Sequence, residues 1–224
     1  MKSFFKFLTV KAKLIDVNPA NDLDSPKIPK SLPKYLSLEE SLALLEHIDG
    51  NDKKRDYAMI TLFLNCGLRL SELAGINLND IKDDTLTVIG KGNKERTIYL
   101  NEACQNAIQD YVQNERIREG IKAPDQNALF ISRNRRRISV KTIQHLVKKH
   151  LQAAGLDTTK YSVHKLRHTA ATLMYKYGHV DVRILQEILG HTDLSTTQIY
   201  THLDSEQLRD AASKNPLADL NHKE

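Results

Sequence analysis

The stretch "KKRDYAMITLFLNCGLRLSELAG" (residues 53–75) decides the fold. Its first half carries apolar side chains at helical spacing: Met59, Leu62, Phe63 and Cys66. This spacing forms one apolar stripe along a helix, and Gly67 is the residue type that most often ends one. After the turn, residues 70–76 have the pattern of a second, short apolar helix. Neither stripe can be buried alone, so the stretch predicts a helical core against which further elements pack.

The elements on either side complete the predicted secondary structure. Ser37 followed by Glu40 is a capping box that starts a helix upstream. Downstream, "TLTVIG" (85–90) and "RTIYL" (96–100) are β-rich and flank a turn, and "ALFIS" (128–132) is a candidate third strand. Further helices are predicted over 101–119, 139–154, 164–176, 180–189, 195–201 and 205–213. The expected fold class is α+β, mostly α-helical, with a small antiparallel three-stranded β-sheet.

The N-terminal region differs from the rest. Residues 3–14 have the pattern of one basic amphipathic helix, and residues 16–35 contain four prolines among Asn, Asp and Ser, as in an extended linker. Lys6 interrupts the apolar run and no small-residue cleavage site follows closely, which argues against a secretory signal. A single helix cannot bury its own apolar face. We therefore expect residues 1–34 to be the end of an upstream domain, or to dock on a neighbour.

Composition narrows the class of protein. The chain has 224 residues, 40% of them hydrophobic, which is enough to bury a core. Its net charge of +5 and isoelectric point near 9.1 suit a polyanionic partner but do not establish one. No apolar stretch is long enough to span a bilayer. Cys66 and Cys104 fit no metal or disulfide pattern, so we expect a cytoplasmic protein without a membrane partner.

The segment "SVHKLRHTAATLMY" (162–175) carries the first candidate for chemistry. His164 and Arg167 are three residues apart and share one helix face. For this pair alone, a merely solvated surface helix remains an alternative. His164 and His168 have the spacing of two metal ligands, but Lys165 and Arg167 would repel a cation and no carboxylate completes the set. The pattern favours an anion, and no metal is expected.

A second candidate follows the turn at Gly67. Arg69 lies between two apolar helices, and Glu72 could orient its guanidinium group rather than neutralise it. The turn between the strands adds Lys91, Lys94 and Arg96, which could bring a cation to a nearby anion. Its glycines lie between strands and not before a helix, so the segment is not a phosphate-binding P-loop. A solvated charged turn remains the alternative.

The most basic stretch is "SRNRRRISVKTIQHLVKKH" (132–150). Apolar residues at helical spacing place a core face on one side and cations on the other, which predicts a helix that contacts the DNA backbone. A solubilising face is the alternative. The candidate DNA-binding residues of this stretch are Arg133, Arg135, Arg136, Arg137, Lys141, Lys148 and Lys149; Lys94 and Arg96 of the hairpin join them.

The last candidate is "LGHTDLSTTQIYTH" (189–202), with two histidines and Tyr200 in a polar segment. A tyrosine is most often a half-buried packing residue with a wet hydroxyl. The alternative is that its phenol oxygen is the reacting atom of an enzyme. At a pKa of about 10, a phenol would then need help from neighbouring groups to act as a nucleophile at neutral pH.

Together these motifs resemble the tyrosine recombinase (phage integrase) family, in particular its Xer-type branch. Four segments carry the resemblance in family order: "CGLRLSEL", "VIGKGNKERTIYL", "SVHKLRHTAATLM" and "LGHTDLSTTQIYTH". It extends over about residues 32–208. It implies a catalytic domain over 35–203, a remnant of the N-terminal core-binding domain with its linker over 1–34, and a C-terminal segment over 204–224 for contacts between protomers.

The resemblance also implies roles for six positions. Tyr200 would attack a DNA phosphodiester to give a 3′-phosphotyrosyl link. Arg69 and Arg167 would bind the non-bridging oxygens, and His191 would hydrogen-bond the same phosphate. Lys91 would protonate the departing 5′-oxygen, with Lys94 as a competitor for this role. His164 would manage the proton of the nucleophile.

The implied function is site-specific recombination of double-stranded DNA without metal, ATP or other cofactor. The implied assembly is a tetramer on paired DNA sites, formed through the C-terminal tail, with a partner recombinase or accessory protein and a location at the nucleoid. Two alternatives stay open. The same chemistry within one duplex would give a type IB topoisomerase, and "EILGHTDLSTTQIY" has the pattern of a helix-turn-helix regulator without catalysis.

Overall fold

The computed structural model describes residues 2–23, 34–90, 92–93, 95–116 and 120–190. The chain divides into two compact units, Met1–Leu32 and Pro33–Glu224. In the first unit, the helix predicted over 3–14 is a short helix α1 (Lys2–Lys6) followed by a π-helical segment (Phe7–Lys11). None of these residues is buried within the unit.

The second unit contains seven of the described α-helices and one sheet. The helices are α2 (Leu38–Glu46), α3 (Lys53–Cys66), α4 (Leu70–Gly75), α5 (Glu102–Asn114), α6 (Val140–Ala153), α7 (Val163–Lys176) and α8 (Val182–Leu189). Within the described part of the chain, this confirms the mostly α-helical fold class. The helices predicted over 195–201 and 205–213 lie outside the described residues.

Two local signals have the predicted geometry. The Ser37 hydroxyl accepts a hydrogen bond from the Glu40 amide at 3.1 Å, and the Glu40 carboxylate accepts one from the Ser37 amide at 2.8 Å. This capping box satisfies two otherwise unpaired donors at the start of α2. Gly67 ends α3 with φ of +58°, in the left-handed region that glycine enters without a steric penalty. The turn at Gly67 sends the chain into α4 and so positions Arg69.

The sheet has three antiparallel strands in the order β1 (Ile81–Lys82), β2 (Thr85–Ile89) and β3 (Glu95–Tyr99). The predicted hairpin of β2 and β3 is confirmed, with Leu86 opposite Ile98 and Val88 opposite Arg96. The candidate third strand at 128–132 was wrong. Ala128 and Ile131 form only isolated bridges there. The apolar residues 128–131 are buried in the interior, which explains a strand-like pattern without a strand.

The helix predicted over 101–119 is also shorter than expected, since α5 ends at Asn114. Glu115 turns away and accepts hydrogen bonds from the amides of Lys54 and Arg55, both at 2.9 Å, at the start of α3. Arg116 turns inward and donates to main-chain carbonyl groups of residues 126, 128 and 129. These side-chain contacts outweigh the helical pattern of the sequence.

The core surrounds α3, which packs against α5 and α7 and carries the fully buried Leu62 and Phe63. A buried polar cluster joins α3 to α6. The Asp56 carboxylate accepts hydrogen bonds from the Arg55 guanidinium at 2.8 and 3.0 Å, and its other oxygen lies 2.9 Å from Nε2 of His150. Among the described residues, no helix is both long and apolar enough to cross a membrane.

Candidate active site

Arg69 is held at the start of α4 by Glu72. The Arg69 amide donates to Oε2 of Glu72 and its Nη1 donates to Oε1, both at 2.7 Å. Its Nη2 donates to the carbonyl oxygen of Gly190, also at 2.7 Å. The Glu72 side chain is buried, whereas the Arg69 side chain is 30% exposed. Glu72 therefore orients the guanidinium group, as predicted, and the Arg69 side chain stays partly open to solvent.

Arg96 reaches the same carboxylate from strand β3. Its Nη1 and Nη2 donate to Oε1 and Oε2 of Glu72, and its Nε donates to the carbonyl oxygen of Ile188 at 3.2 Å. Burial by itself would raise the pKa of Glu72. Hydrogen bonds from Arg96 and Arg69 outweigh that effect and hold the pKa below its ordinary value, so Glu72 is an anion at neutral pH.

Arg167 lies one turn after His164 on α7 and is almost fully buried. Its Nη1 donates to the carbonyl oxygen of Gly67 at 2.5 Å, and its Nη2 donates to that of Leu189. Arg69 and Arg167 thus bind the carbonyl groups of two consecutive residues at the end of α8. Because α3, α7 and α8 meet here, the two guanidinium groups that the sequence places 98 positions apart belong to one site.

His164 is exposed at the start of α7, and its Nε2 lies 3.1 Å from Nε2 of His168, one turn along the helix. The rings are nearly perpendicular, with centroids 4.6 Å apart. Desolvation and the nearby charges of Lys165 and Arg167 lower the pKa of His164. The imidazole is therefore neutral at pH 7 and can accept a proton. The sequence pairs His164 and His168 only as possible metal ligands, and it does not predict their mutual contact.

Arg69, His164 and Arg167 line one cleft of about 550 Å³ between α4, α6 and α7. Lys148, from the basic stretch, lies in its wall and is exposed. Three cationic side chains and one neutral imidazole in an open cleft attract an anion with several oxygen atoms. Planar guanidinium groups are suited to the equatorial oxygens of a phosphoryl group, which gain negative charge during transfer.

The other cations of the basic stretch lie in several environments. Arg133 contacts Asp52 at 2.8 Å, and Lys149 contacts Asp49 at 3.5 Å. Arg137 donates to the carbonyl oxygens of residues 74–76 and to Asn77, and so holds the end of α4. The side chains of three further candidates are exposed: Arg135, Arg136 and Lys141. DNA contacts by all of these residues stay a prediction.

Four candidate residues lie outside the described residues: Lys91, Lys94, His191 and Tyr200. Three of them adjoin described residues in the sequence, and Lys94 directly precedes β3. Lys91 precedes Gly92 and Asn93, whose positive φ angles confirm the predicted turn of the hairpin. His191 follows Gly190, whose carbonyl oxygen accepts from Arg69. Their roles, like those of the other site residues, stay predictions.

Comparisons with known proteins show the family of this chain. The profile of the phage integrase family matches residues 34–207. "Tyrosine recombinase XerC" of Caldanaerobacter subterraneus subsp. tengcongensis is 63% identical over 218 residues, which cover 97% of this chain and 61% of that protein. "Tyrosine recombinase XerC" of Alcanivorax borkumensis is 41% identical over 213 residues, covering 93% of this chain and 68% of that protein.

A solved structure agrees in fold as well. The XerH site-specific recombinase bound to difH substrate in a pre-cleavage complex is 29% identical, with a TM-score of 0.68 over 83% of this chain and 55% of that chain. The present chain spans about three fifths of the length of its XerC relative from Caldanaerobacter. The family match covers most of this chain and includes every candidate catalytic residue. The chain therefore belongs to the phage integrase family, that of the tyrosine recombinases.

Proposed function

We propose that the protein is a site-specific DNA recombinase that cleaves and rejoins strands through a 3′-phosphotyrosyl intermediate. One observation carries this proposal: Arg69, Arg167 and His164 line a single cleft, and both arginines hold the turn that leads directly to His191. The XerH relative was solved with a DNA substrate, which supports double-stranded DNA as the partner. The basic composition suits the same partner.

In this mechanism the Tyr200 phenol oxygen attacks the scissile phosphorus, and the bond to the 5′-oxygen breaks. Arg69 and Arg167 bind the non-bridging oxygens and stabilise the charge that develops on them. His191 adds a hydrogen bond to the same phosphate. Since one phosphodiester replaces another, the energy of the broken bond is kept in the tyrosyl ester. A 5′-hydroxyl of a partner strand then attacks that ester and releases the tyrosine.

Two proton transfers accompany the attack. The phenol must lose its proton, and neutral His164 is the acceptor that the cleft offers. The departing 5′-oxygen must gain a proton, and we assign this step to Lys91 on the hairpin, with Lys94 as its competitor. We assign no proton transfer to Glu72. It acts by holding Arg69.

We further propose that recombination takes place in a tetramer on paired DNA sites, with the segment after residue 203 joining protomers. A partner recombinase or accessory protein and association with the nucleoid belong to the same proposal. Residues 1–34 would be the last helix of an N-terminal core-binding domain together with its linker to the catalytic domain (35–203). Truncation after His202 would then leave strand cleavage intact but weaken assembly on DNA, measured by gel shift; unchanged assembly would contradict the tail's role.

The test uses a DNA substrate nicked near the cleavage site, so that the covalent product is trapped. Candidate sites come from the source genome, and denaturing gels compare the wild type with Tyr200→Phe. Tyr99→Phe is the matched control, because Tyr99 is a 77% exposed tyrosine on β3. We expect a DNA-linked band in the wild type and in Tyr99→Phe, and none in Tyr200→Phe. A band retained by Tyr200→Phe would contradict the assigned nucleophile.

The same preparation separates the two alternative functions. A type IB topoisomerase would relax supercoiled DNA that lacks any specific site, whereas the recombinase requires its site. A helix-turn-helix regulator would bind DNA and give no covalent band with any substrate. Cleavage confined to site-containing DNA supports the recombinase.

A further inference from the structure

Arg96 has an environment unlike that of a DNA-contacting residue on a hairpin. It is the second residue of β3, opposite Val88, and its side chain is only 14% exposed. Neighbouring positions of the same strand are open, with Tyr99 at 77% exposure. A long cationic side chain is rarely buried unless it is paired. The ion pair of Arg96 with Glu72 is therefore the contact to be explained.

The Glu72 carboxylate is shared symmetrically by two arginines. Oε1 accepts from Nη1 of Arg69 and Nη1 of Arg96, and Oε2 accepts from the Arg69 amide and Nη2 of Arg96. Each oxygen thus accepts one hydrogen bond from Arg69 and one from Arg96. The Glu72 side chain is only 1% exposed, so bulk solvent does not reach the carboxylate to replace either arginine. The position of one guanidinium group is therefore coupled to that of the other.

Arg96 also contacts the end of α8. Besides the hydrogen bond from its Nε to Ile188, its side chain packs against Gly190: a Cβ atom at that glycine would lie 3.1 Å from Cδ of Arg96. Gly190 is the residue whose carbonyl oxygen accepts from Arg69. Arg96 therefore joins the hairpin to the start of α4 and to the last turn of α8.

We infer that Arg96 is a positioning residue for strand cleavage, which holds Glu72 and thereby leaves the charge of Arg69 available to the DNA phosphate. This inference rests on the proposed recombinase function. The charges explain the need for a second arginine. Arg69 and Glu72 alone form a neutral pair, whereas Arg69, Arg96 and Glu72 together carry one net positive charge. Without Arg96, the buried carboxylate would compete with the phosphate for Arg69.

The test measures single-turnover cleavage of the nicked substrate at saturating DNA. We expect Arg96→Gln to slow cleavage by about tenfold or more, less than the roughly 10²–10³ that the loss of a direct donor to the transition state costs. Arg96→Lys restores the charge without the two-pronged geometry and should recover part of the rate. The DNA dissociation constant should stay nearly unchanged.

A double-mutant cycle distinguishes positioning from a general loss of structure. If Arg96 acts through Arg69, the double variant Arg69→Ala/Arg96→Gln cleaves no more slowly than Arg69→Ala. Arg116→Gln is the matched control. Arg116 is another buried arginine that donates to main-chain carbonyl groups, but these belong to residues 126–129. Any effect of Arg116→Gln should multiply with that of Arg69→Ala.

Two results would overturn the inference. The first is that the effects of Arg96→Gln and Arg69→Ala multiply. The second is that Arg96→Gln keeps the cleavage rate at saturating DNA but weakens DNA binding. The slope of the logarithm of the binding constant against the logarithm of the salt concentration would then fall by about one, as for the loss of a phosphate contact.

A crystal structure of Arg96→Gln tests the inference even if the wild type proves not to cleave DNA, an outcome that would refute the proposed function itself. We expect the Arg69 guanidinium to leave the Gly190 carbonyl and to take up both Glu72 oxygens. An Arg69 that keeps its contacts with both Gly190 and Glu72 would refute the inference.

Discussion

The buried cluster of Asp56, Arg55 and His150 supplies the sharpest prediction for stability. The change is Asp56→Asn, which keeps the shape of the side chain and removes its charge. The three side chains are at most 5% exposed, and the Asp56 carboxylate makes hydrogen bonds to both of the others. The variant takes one of two anionic partners from the buried Arg55 cation and puts in its place an amide that accepts at only one atom; Asp52, 3.4 Å from Nη2 of Arg55, is the partner that stays.

The expected cost follows from that burial. Removal of one partner from a buried ion pair destabilises a protein by about 3–5 kcal/mol, because the other charge remains uncompensated. For a chain of this size, each kcal/mol lowers the melting temperature by about 2–4 °C. Because Asp52 still pairs with Arg55, the lower end of this range applies, and Asp56→Asn should melt about 6–12 °C below the wild type. Since His150 lies on α6, which forms a wall of the cleft, DNA cleavage should be lost at temperatures where the wild type is still active.

The chain offers a control with the same substitution. Asp110 pairs with Lys54 at 2.5 Å, but its side chain is 47% exposed. Exposed ion pairs contribute about 0–1 kcal/mol, so Asp110→Asn should shift the melting temperature by a few degrees at most. Thermal unfolding followed by circular dichroism gives the melting temperatures of both variants, and urea unfolding at pH 7 gives their free energies of unfolding. Equal losses in the two variants, or a loss below about 1 kcal/mol for Asp56→Asn, would refute the reasoning.

Three further predictions follow. Gly67→Ala should lower the free energy of unfolding by about 1–2 kcal/mol, because φ is +58° and an added Cβ would lie 2.8 Å from a leucine methyl group. Gly75→Ala is the control and should have no such effect, because nothing lies within 4 Å of an added Cβ there; equal melting curves for the two variants would contradict this. The cleavage rate should fall as the pH drops below 6.5 and His164 gains a proton. Lys165→Gln removes one cause of the lowered pKa of His164 and should move this fall in rate to higher pH; an unchanged pH profile would exclude His164 as the titrating group. Cys66 should react with thiol reagents in urea but not in the native protein at pH 7, since hydrogen bonding to a neighbouring thiol and burial raise its pKa, and rapid native labelling would contradict its burial.

Local signals in the sequence predict much of the fold. Gly67 ends α3, Ser37 and Glu40 cap α2, and Gly92 with Asn93 turns the hairpin, because each depends on a few neighbouring residues. The third strand was misplaced for the opposite reason. Two residues of β1 are too short for any periodic pattern, and the apolar segment at 128–132 is buried by contacts distant in sequence.

The sequence predicted which residues form the candidate site better than it predicted the contacts that these residues make. The motifs placed Arg69 beside Glu72, as observed. They also grouped Arg96 with DNA-binding cations, because a lysine-rich turn is usually solvated. Its burial against Glu72 depends on β3 approaching α4, a tertiary contact across 24 residues that no local pattern records. The contact of His164 with His168 is visible in the spacing, but its geometry is not.

The central claim is that Tyr200 becomes covalently joined to DNA. The most direct measurement is mass spectrometry of the trapped complex after digestion with nuclease and trypsin. Tyr200 is the single tyrosine of the expected tryptic peptide, which spans residues 184–209. We predict that this peptide carries the mass of a nucleotide phosphate, located on Tyr200 by fragmentation. A nucleotide found on any other residue would contradict the proposed mechanism.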